Sequence, residues 1–346
     1  MIAAVDIALR ASVVVLAALA VSAALRRRSA ALRHSILAAG IVASALVAPL
    51  GRALPAWDVP FPSPRPVDFG KATIGIPPPV QAPAKTSPAP ADADVVKNER
   101  EIPVDVMLNA LWMFGIVVAT TLMAIRFDRL ARVARNATEV TEHRWIETSD
   151  SLRRQLCVRQ RVSILKSDRP GLIGTYGRRR PRVLLPPDCD SWSDERIRIV
   201  LGHELAHIRR GDWSVQVAAE AVRAVFWYNP LFWIACARLR AEGEHACDDA
   251  ILDAGVPAPD YAAHLLAIAR VYRPRLGGDA LVPMARPSTL ERRIAAMLNT
   301  TLADRRPTRR AFAIALVAIA GITLAAASFR AAAQTEPRPL TGTVYD

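Results

Sequence analysis

Residues 201–213 read LGHELAHIRRGDW and set His203, Glu204 and His207 in an H-E-x-x-H pattern. On a helix, positions i and i+4 share a face, so both histidines can present a ring nitrogen to one zinc ion. Glu204, one residue on, lies beside such an ion without binding it, where a general base belongs. The pattern also arises by chance in charged helices, so its surroundings decide.

A hydrolytic zinc site takes three protein ligands and keeps a fourth position open. Downstream, EGEHACDD offers Glu244 and, four residues on, Asp248 on the same helical face. Glu244 can close a His-His-Glu site. Asp248 is then placed to accept from the far nitrogen of a ligand histidine, which fixes its tautomer and raises its basicity. Glu242, two positions earlier and on another face, is the competing ligand. A merely solvated acidic face is the weaker reading, because the flanks are apolar.

The elements that must carry these residues follow from local pattern. Ser193 reads as the N-cap of the histidine helix and Gly211 as its stop. A second, mostly apolar helix over 213–227 breaks at Asn229-Pro230, and a third from Leu231 carries Glu244. Residues 260–272 and 288–298 read as two further amphipathic helices. Upstream, VSILKSDRPGLIGTYGRRRPRVLLPP has β-branched runs broken by Gly and Pro, which predicts a small antiparallel sheet. Residues 127–147 read as a polar helix continuing from an apolar one.

Composition places this unit at a membrane. The 346 residues are 52% hydrophobic with a net charge of +13. The arginines flank apolar runs, which favours a bilayer over nucleic acid as the partner. Cys157, Cys189, Cys236 and Cys247 show no C-x-x-C spacing and read as reduced thiols. Crossing a bilayer takes about 20 apolar residues. Runs at 7–25, 34–50, 104–125 and 311–328 meet that need, the second at the short end. Arginine clusters at 26–33, 126–135 and 305–310 fall on one side if the N-terminus is outside. The expected organisation is therefore two membrane helices within 1–50, a Pro-rich extracytoplasmic linker over 51–103, and a third membrane helix over 104–125. A cytoplasmic catalytic domain over 126–310, a fourth membrane helix over 311–328 and an extracytoplasmic tail over 329–346 follow. The tail reads either as a short disordered end or as the first strand of an exported domain. Both termini are expected outside a bacterial-type inner membrane.

Taken together, GHELAHIRRGDW, WYNPLFW and EHACDDAIL, with RPRVLLPP ahead of them, resemble the BlaR/MecR antirepressor family of membrane zinc metalloproteases. The resemblance covers roughly residues 1–330. It implies one zinc per chain on His203, His207 and Glu244, with Glu204 as catalytic base, and its gluzincin-type E-x-x-x-D pairing supports Asp248 behind the ligands. The fold it implies is a mainly α membrane protein, with four transmembrane helices and a cytoplasmic gluzincin-like α+β metalloprotease domain. In that family an outer sensor detects a β-lactam and the protease inactivates a transcriptional repressor. A cytoplasmic repressor is thus the expected protein substrate, and no direct nucleic-acid binding is expected. The pattern S-x-x-K in SILK (163–166) lacks the S-D-N and K-T-G partners of a penicillin-binding site, so β-lactam sensing by these residues is not supported. Alternatives are a quality-control membrane protease of the HtpX type and a catalytically silent receptor or scaffold.

Other features take plainer readings. His34 and His143 are expected at an interface or in solvent, and Arg209, Arg210 and Asp212 at the electrostatic finish of a helix. Cys247 reads as a small buried residue beside the site. His245 faces another direction, with a role at the reacting carbonyl as the sharper alternative. Trp213, Trp227, Tyr228 and Trp233 form either an interfacial belt or core. The strand pair around 171–185 has an edge for an extended substrate, and 273–287 is the candidate self-cleavage loop. Shifts of the helices ending at Ile125 or starting at Ala311 are expected to carry the signal.

Overall fold

A computed structural model describes residues 2–55, 57–61, 103–271, 287–298 and 309–333. The candidate self-cleavage loop, all but its last residue, and the end of the tail lie outside these residues. The chain starts with helices α1 (Ile2–Ala24) and α2 (Ala30–Ala53), the latter capped by the Ser29 hydroxyl on the Leu32 amide. Strand β1 (Trp57–Phe61) follows, inside the segment expected to be all linker. Helix α3 (Val104–Asn136) runs 33 residues, and β2 (Thr138–Glu139) and α4 (His143–Gln155) come next. The membrane helix therefore continues past its apolar part, but only to Asn136. The β-branched stretch after it pairs with a strand, so 127–147 is not one helix.

Strands β3 (Ser163–Lys166), β4 (Gly174–Tyr176) and β5 (Arg182–Leu185) complete a four-stranded sheet in the order β2-β3-β5-β4. It is mixed rather than antiparallel. The chain leaves β3, crosses to the outer position for β4, and returns by a tight turn to lay β5 parallel to β3. The S-x-x-K pair occupies β3, with Lys166 Nζ 2.7 Å from Asp190 Oδ2. The sheet, α4 and the next helix share one core around Trp145, Ile173, Val183, Leu185, Ile197 and Leu205.

Helix α5 (Asp194–Arg210) starts at the Ser193 cap and stops at Gly211, whose φ of +69° is the left-handed conformation that a glycine adopts without strain. The chain turns at once into α6 (Asp212–Val225), then into α7 (Pro230–Asp253), where Asn229 caps and Pro230 opens the helix. Helices α8 (Ala258–Val271), α9 (Pro287–Leu298) and α10 (Arg309–Ser328) follow, and β6 (Phe329–Ala333) ends the described chain.

Among the described residues, four helices, α1, α2, α3 and α10, are long and apolar enough to cross a membrane. α1, α2 and α10 pack through Ala18, Leu32, Ile36, Ala315 and Ile319. Beyond the ends of α2 and α10, β1 and β6 pair in parallel, so these two helices leave the apolar layer on the same side. Arg10, inside the first apolar run, is satisfied there by Asp6 and by the Ala327 carbonyl. The α6–α7 corner does not sit beyond the apolar helices but beside their middles. Phe226, Phe232 and Cys236 pack on Ala11, Val15 and Ile41, and the Asn229 amide donates to the Ser12 hydroxyl at 2.7 Å. On α3, a Cβ at Gly115 would stand 2.1 Å from the Trp227 ring, so only glycine lets α3 approach so closely. Trp112, Trp227 and Trp233 each donate an indole N–H to a backbone carbonyl at this corner. These tryptophans fasten the α6–α7 corner to α3.

Candidate metal centre

His203 and His207 project from one face of α5, and Glu244 meets them from α7. Their donor atoms lie within 4.8 Å of one another. The two Nε2 atoms are 3.2 Å apart, and each stands 3.6 Å from a Glu244 oxygen. Glu242, the competing ligand, is elsewhere: its carboxylate is held by Arg33 at 2.7 and 2.9 Å.

Each histidine is oriented from behind. His207 Nδ1 lies 2.8 Å from Asp212 Oδ2, and Arg210 supports that carboxylate at 3.1 Å. His203 Nδ1 lies 2.9 Å from the Tyr261 hydroxyl and 3.4 Å from Asp248 Oδ1. Tyr261 donates to the same Asp248 oxygen at 2.7 Å. Asp248 therefore stands behind His203, partly through a tyrosine the sequence reading missed. Asp212, expected only to finish a helix, is a partner of His207 because Gly211 folds the chain back onto that ring. Arg293, fully enclosed on α9, forks onto Asp248 at 2.6 and 2.8 Å and brings Nη1 to 2.9 Å from Glu244 Oε2. Removing one member of such a buried pair costs about 3–5 kcal/mol, which ties α9 to this spot.

The charge states follow from these contacts. Burial pushes the Asp212 carboxyl up, but His207 and Arg210 outweigh it and hold the group below the usual range. Burial opposes and Arg293 and His203 overcome it for Glu244, whose pKa falls to about 2, and Asp248 is lowered in the same way. Burial raises Tyr261, so it remains a hydroxyl donor. For His203, burial lowers the pKa, while Asp248 and Glu244 raise it further, to about 9.

These states test whether the residues suit a metal. Asp212 is ionised and accepts only, so the hydrogen on that side belongs to His207 Nδ1. Tyr261 gives its hydrogen to Asp248, so its oxygen accepts from His203 Nδ1. With both rings neutral, the two Nε2 atoms turn lone pairs toward each other and toward Glu244, whose Oε2 is paired with the Arg293 charge but has no aligned hydrogen-bond donor. Three acceptors converging in a buried place call for positive charge between them, which a proton on His203 supplies and a metal ion would supply in its stead. Across a tetrahedral zinc with Zn–N of about 2.0–2.1 Å, two nitrogens stand about 3.3 Å apart, close to the spacing found. The residues fit a metal. A second group, His207, Asp212 and Cys247, is poorer, because Asp212 already holds Nδ1 and burial keeps the Cys247 thiol protonated.

Glu204 is buried beside this cluster. Thr175 on β4 donates to its Oε2 at 2.7 Å, while Oε1 has no partner. Thr175 is a second residue the sequence did not reveal. A cavity of about 790 Å3 opens here, lined by Glu204, His207, Glu244, Thr175 of edge strand β4, and Ala38 and Val42 of α2. His34, expected in solvent or at an interface, is buried and faces Asp212. His143 is exposed, Cys247 is buried beside the site, and no contact brings His245 to the cluster.

An H-E-x-x-H helix, an acidic side chain from a second helix and an edge strand along the cavity, all set among apolar helices, define a membrane protein of the metallopeptidase type. The sequence profile described as BlaR1 peptidase M56 matches residues 2–297, and the chain belongs to that family. Over 151 residues it is 28% identical to "Regulatory protein BlaR1" of Bacillus licheniformis, an alignment covering 43% of this chain and 25% of that protein. The match thus spans about a quarter of the curated relative's length.

Proposed function

We propose that the chain is a zinc endopeptidase that relays an extracytoplasmic signal by cleaving a cytoplasmic transcriptional repressor, and itself within 273–287. His203, His207 and Glu244 hold one zinc, with Asp248 behind His203. The observation that carries this reading is the convergence of His203 Nε2, His207 Nε2 and the Glu244 carboxylate within 4.8 Å, the two nitrogens 3.2 Å apart. Zinc bound there would polarise a peptide carbonyl and acidify water.

Glu204 supplies the base. Thr175 occupies Oε2, so Oε1 is the atom free to take a proton and return it to the leaving amine. An extended substrate adds to the open edge of β4, which brings its backbone past Glu204. The regulatory name of the relative and the resemblance to antirepressors support a repressor as substrate. The arginine side of the apolar helices, where the metal cluster also lies, is the cytoplasmic side.

The test follows zinc content of purified full-length protein together with repressor and chain fragments on immunoblots of induced cells. Glu204→Gln is expected to keep about one zinc and abolish cleavage, since the base is not a ligand. Glu244→Ala is expected to lose both. Equal repressor loss in wild type and Glu204→Gln would exclude proteolysis at this site as the signal.

A further inference from the structure

Two consecutive residues at the arginine-flanked end of α2 contact residues that flank the metal cluster. Arg33 places Nε and Nη2 2.9 and 2.7 Å from Glu242 Oε2, and its Nη1 donates to the carbonyls of Arg26 and Arg28. Both side chains of the pair are only 14% exposed. Glu242 stands two residues before Glu244 on α7, so this pair clamps the turn that presents the third metal-type donor. His34 is also buried, with Nε2 3.7 Å from Asp212 Oδ1, and the other oxygen of Asp212 holds His207 Nδ1. The His34 ring also lies against the backbone between Glu242 and Glu244. A Cβ built on Gly243 would meet it at 3.4 Å.

None of these contacts is needed to pack a membrane helix. Apolar residues would do that more cheaply, since a desolvated arginine must find a partner for its charge. We propose that Arg33 and His34 are positioning residues: through them α2 sets the separation between His207 and Glu244, and so whether the cluster closes on a metal. The proposal rests on the reading of that cluster as a metal site. Metal–ligand distances tolerate about 0.2 Å, whereas a helix shift of about 1–2 Å is an ordinary event at a packed interface. A small slide of α2 is therefore enough to open the site.

The test uses the full chain in lipid nanodiscs, with zinc affinity read by chelator competition and site geometry by the visible spectrum of the cobalt(II) form. Arg33→Ala, Glu242→Ala and the space-filling His34→Leu are each expected to weaken zinc about 10–100-fold, the loss typical when support behind a ligand is removed. Each is also expected to shift the cobalt band. The exchange Arg33→Glu with Glu242→Arg is expected to restore most of the affinity, which a role in folding alone would not require. Zinc affinity and cobalt spectra unchanged in the single variants would overturn the proposal. So would an exchange variant that folds but stays as weak as Arg33→Ala. If the parent chain itself bound no zinc or cobalt, the metal reading would fall first, which separates the two failures.

Discussion

His203 is asked to do two incompatible things when no metal is present. Its Nδ1 hydrogen is committed to Tyr261 and Asp248, yet its Nε2 faces another lone pair and a carboxylate. A proton on Nε2 resolves the conflict: burial opposes it, but Asp248 behind the ring and Glu244 in front of it raise the pKa from 6.5 to about 9. The sign follows directly. A raised pKa stabilises the metal-free fold below about 6.5, and that contribution is lost as pH rises through about 9. A metal must displace this proton, so its affinity should climb about tenfold per pH unit between these values and level off above. Calorimetry in buffers of different ionisation enthalpy should show about one proton released per zinc at pH 7. Release of none would mean that Nε2 is already bare and that the cluster tolerates its facing lone pairs. The residues that create this demand were partly legible. His203, Glu204, His207, Glu244 and Asp248 announce themselves because i, i+4 spacing on a helix is a local rule. Tyr261, Arg293 and Thr175 come from three other elements, and no local spacing brings them to the histidines.

Elements show the same divide between local pattern and long-range pairing. The helices over 212–225, 230–253 and 287–298 were readable from caps, breaks and amphipathic period, and β3 to β5 from their β-branched runs, whereas β1 fell in the expected linker and β2 in an expected helix. The order of the strands was not readable, because hydrophobic alternation says which residues pair inward but not which strand becomes the neighbour. The level of the α6–α7 corner was equally hidden. Nothing in Trp-Tyr-Asn-Pro states that it packs beside Ser12 and Gly115 rather than on a soluble surface. Yet the corner explains the large apolar side chains left outward there: Tyr228, Trp233 and Ile234 are about half exposed. In water such a patch invites association, whereas in lipid it needs no cover. A spin label at position 234 in nanodiscs is therefore expected to collide more with oxygen than with a polar nickel reagent. Faster collision with the nickel reagent would put the corner in water and detach the catalytic helices from the apolar layer.

At the scale of the whole molecule, α2 links the apolar helices to the metal cluster. It packs on α1 and α10, lines the cavity with Ala38 and Val42, holds Glu242 through Arg33, and is followed by the strand that pairs with β6. The helices ending at Ile125 and starting at Ala311 bracket the metal-bearing segment in sequence, which alone points to them as carriers of a signal. In space, α3 meets the α6–α7 corner through Gly115 and Trp112, and α10 packs on α1 and α2 rather than on the metal cluster. A signal arriving where β1 meets β6 has its shortest mechanical route along α2, a continuous helix of 24 residues, to the residues beside His207 and Glu244. This route has meaning only if the two ends of α2 lie in different compartments. The β1–β6 pair sets the ends of α2 and α10 on one side, while Arg26, Arg27, Arg28 and Arg33 gather at the other. Arginine-rich short loops stay in the cytoplasm, so reporter fusions after Gly51 should read as exported and fusions after Arg135 or within 250–305 as cytoplasmic. A cytoplasmic reading after Gly51 would turn the molecule over, put the metal cluster outside the cell and remove any cytoplasmic repressor from its reach.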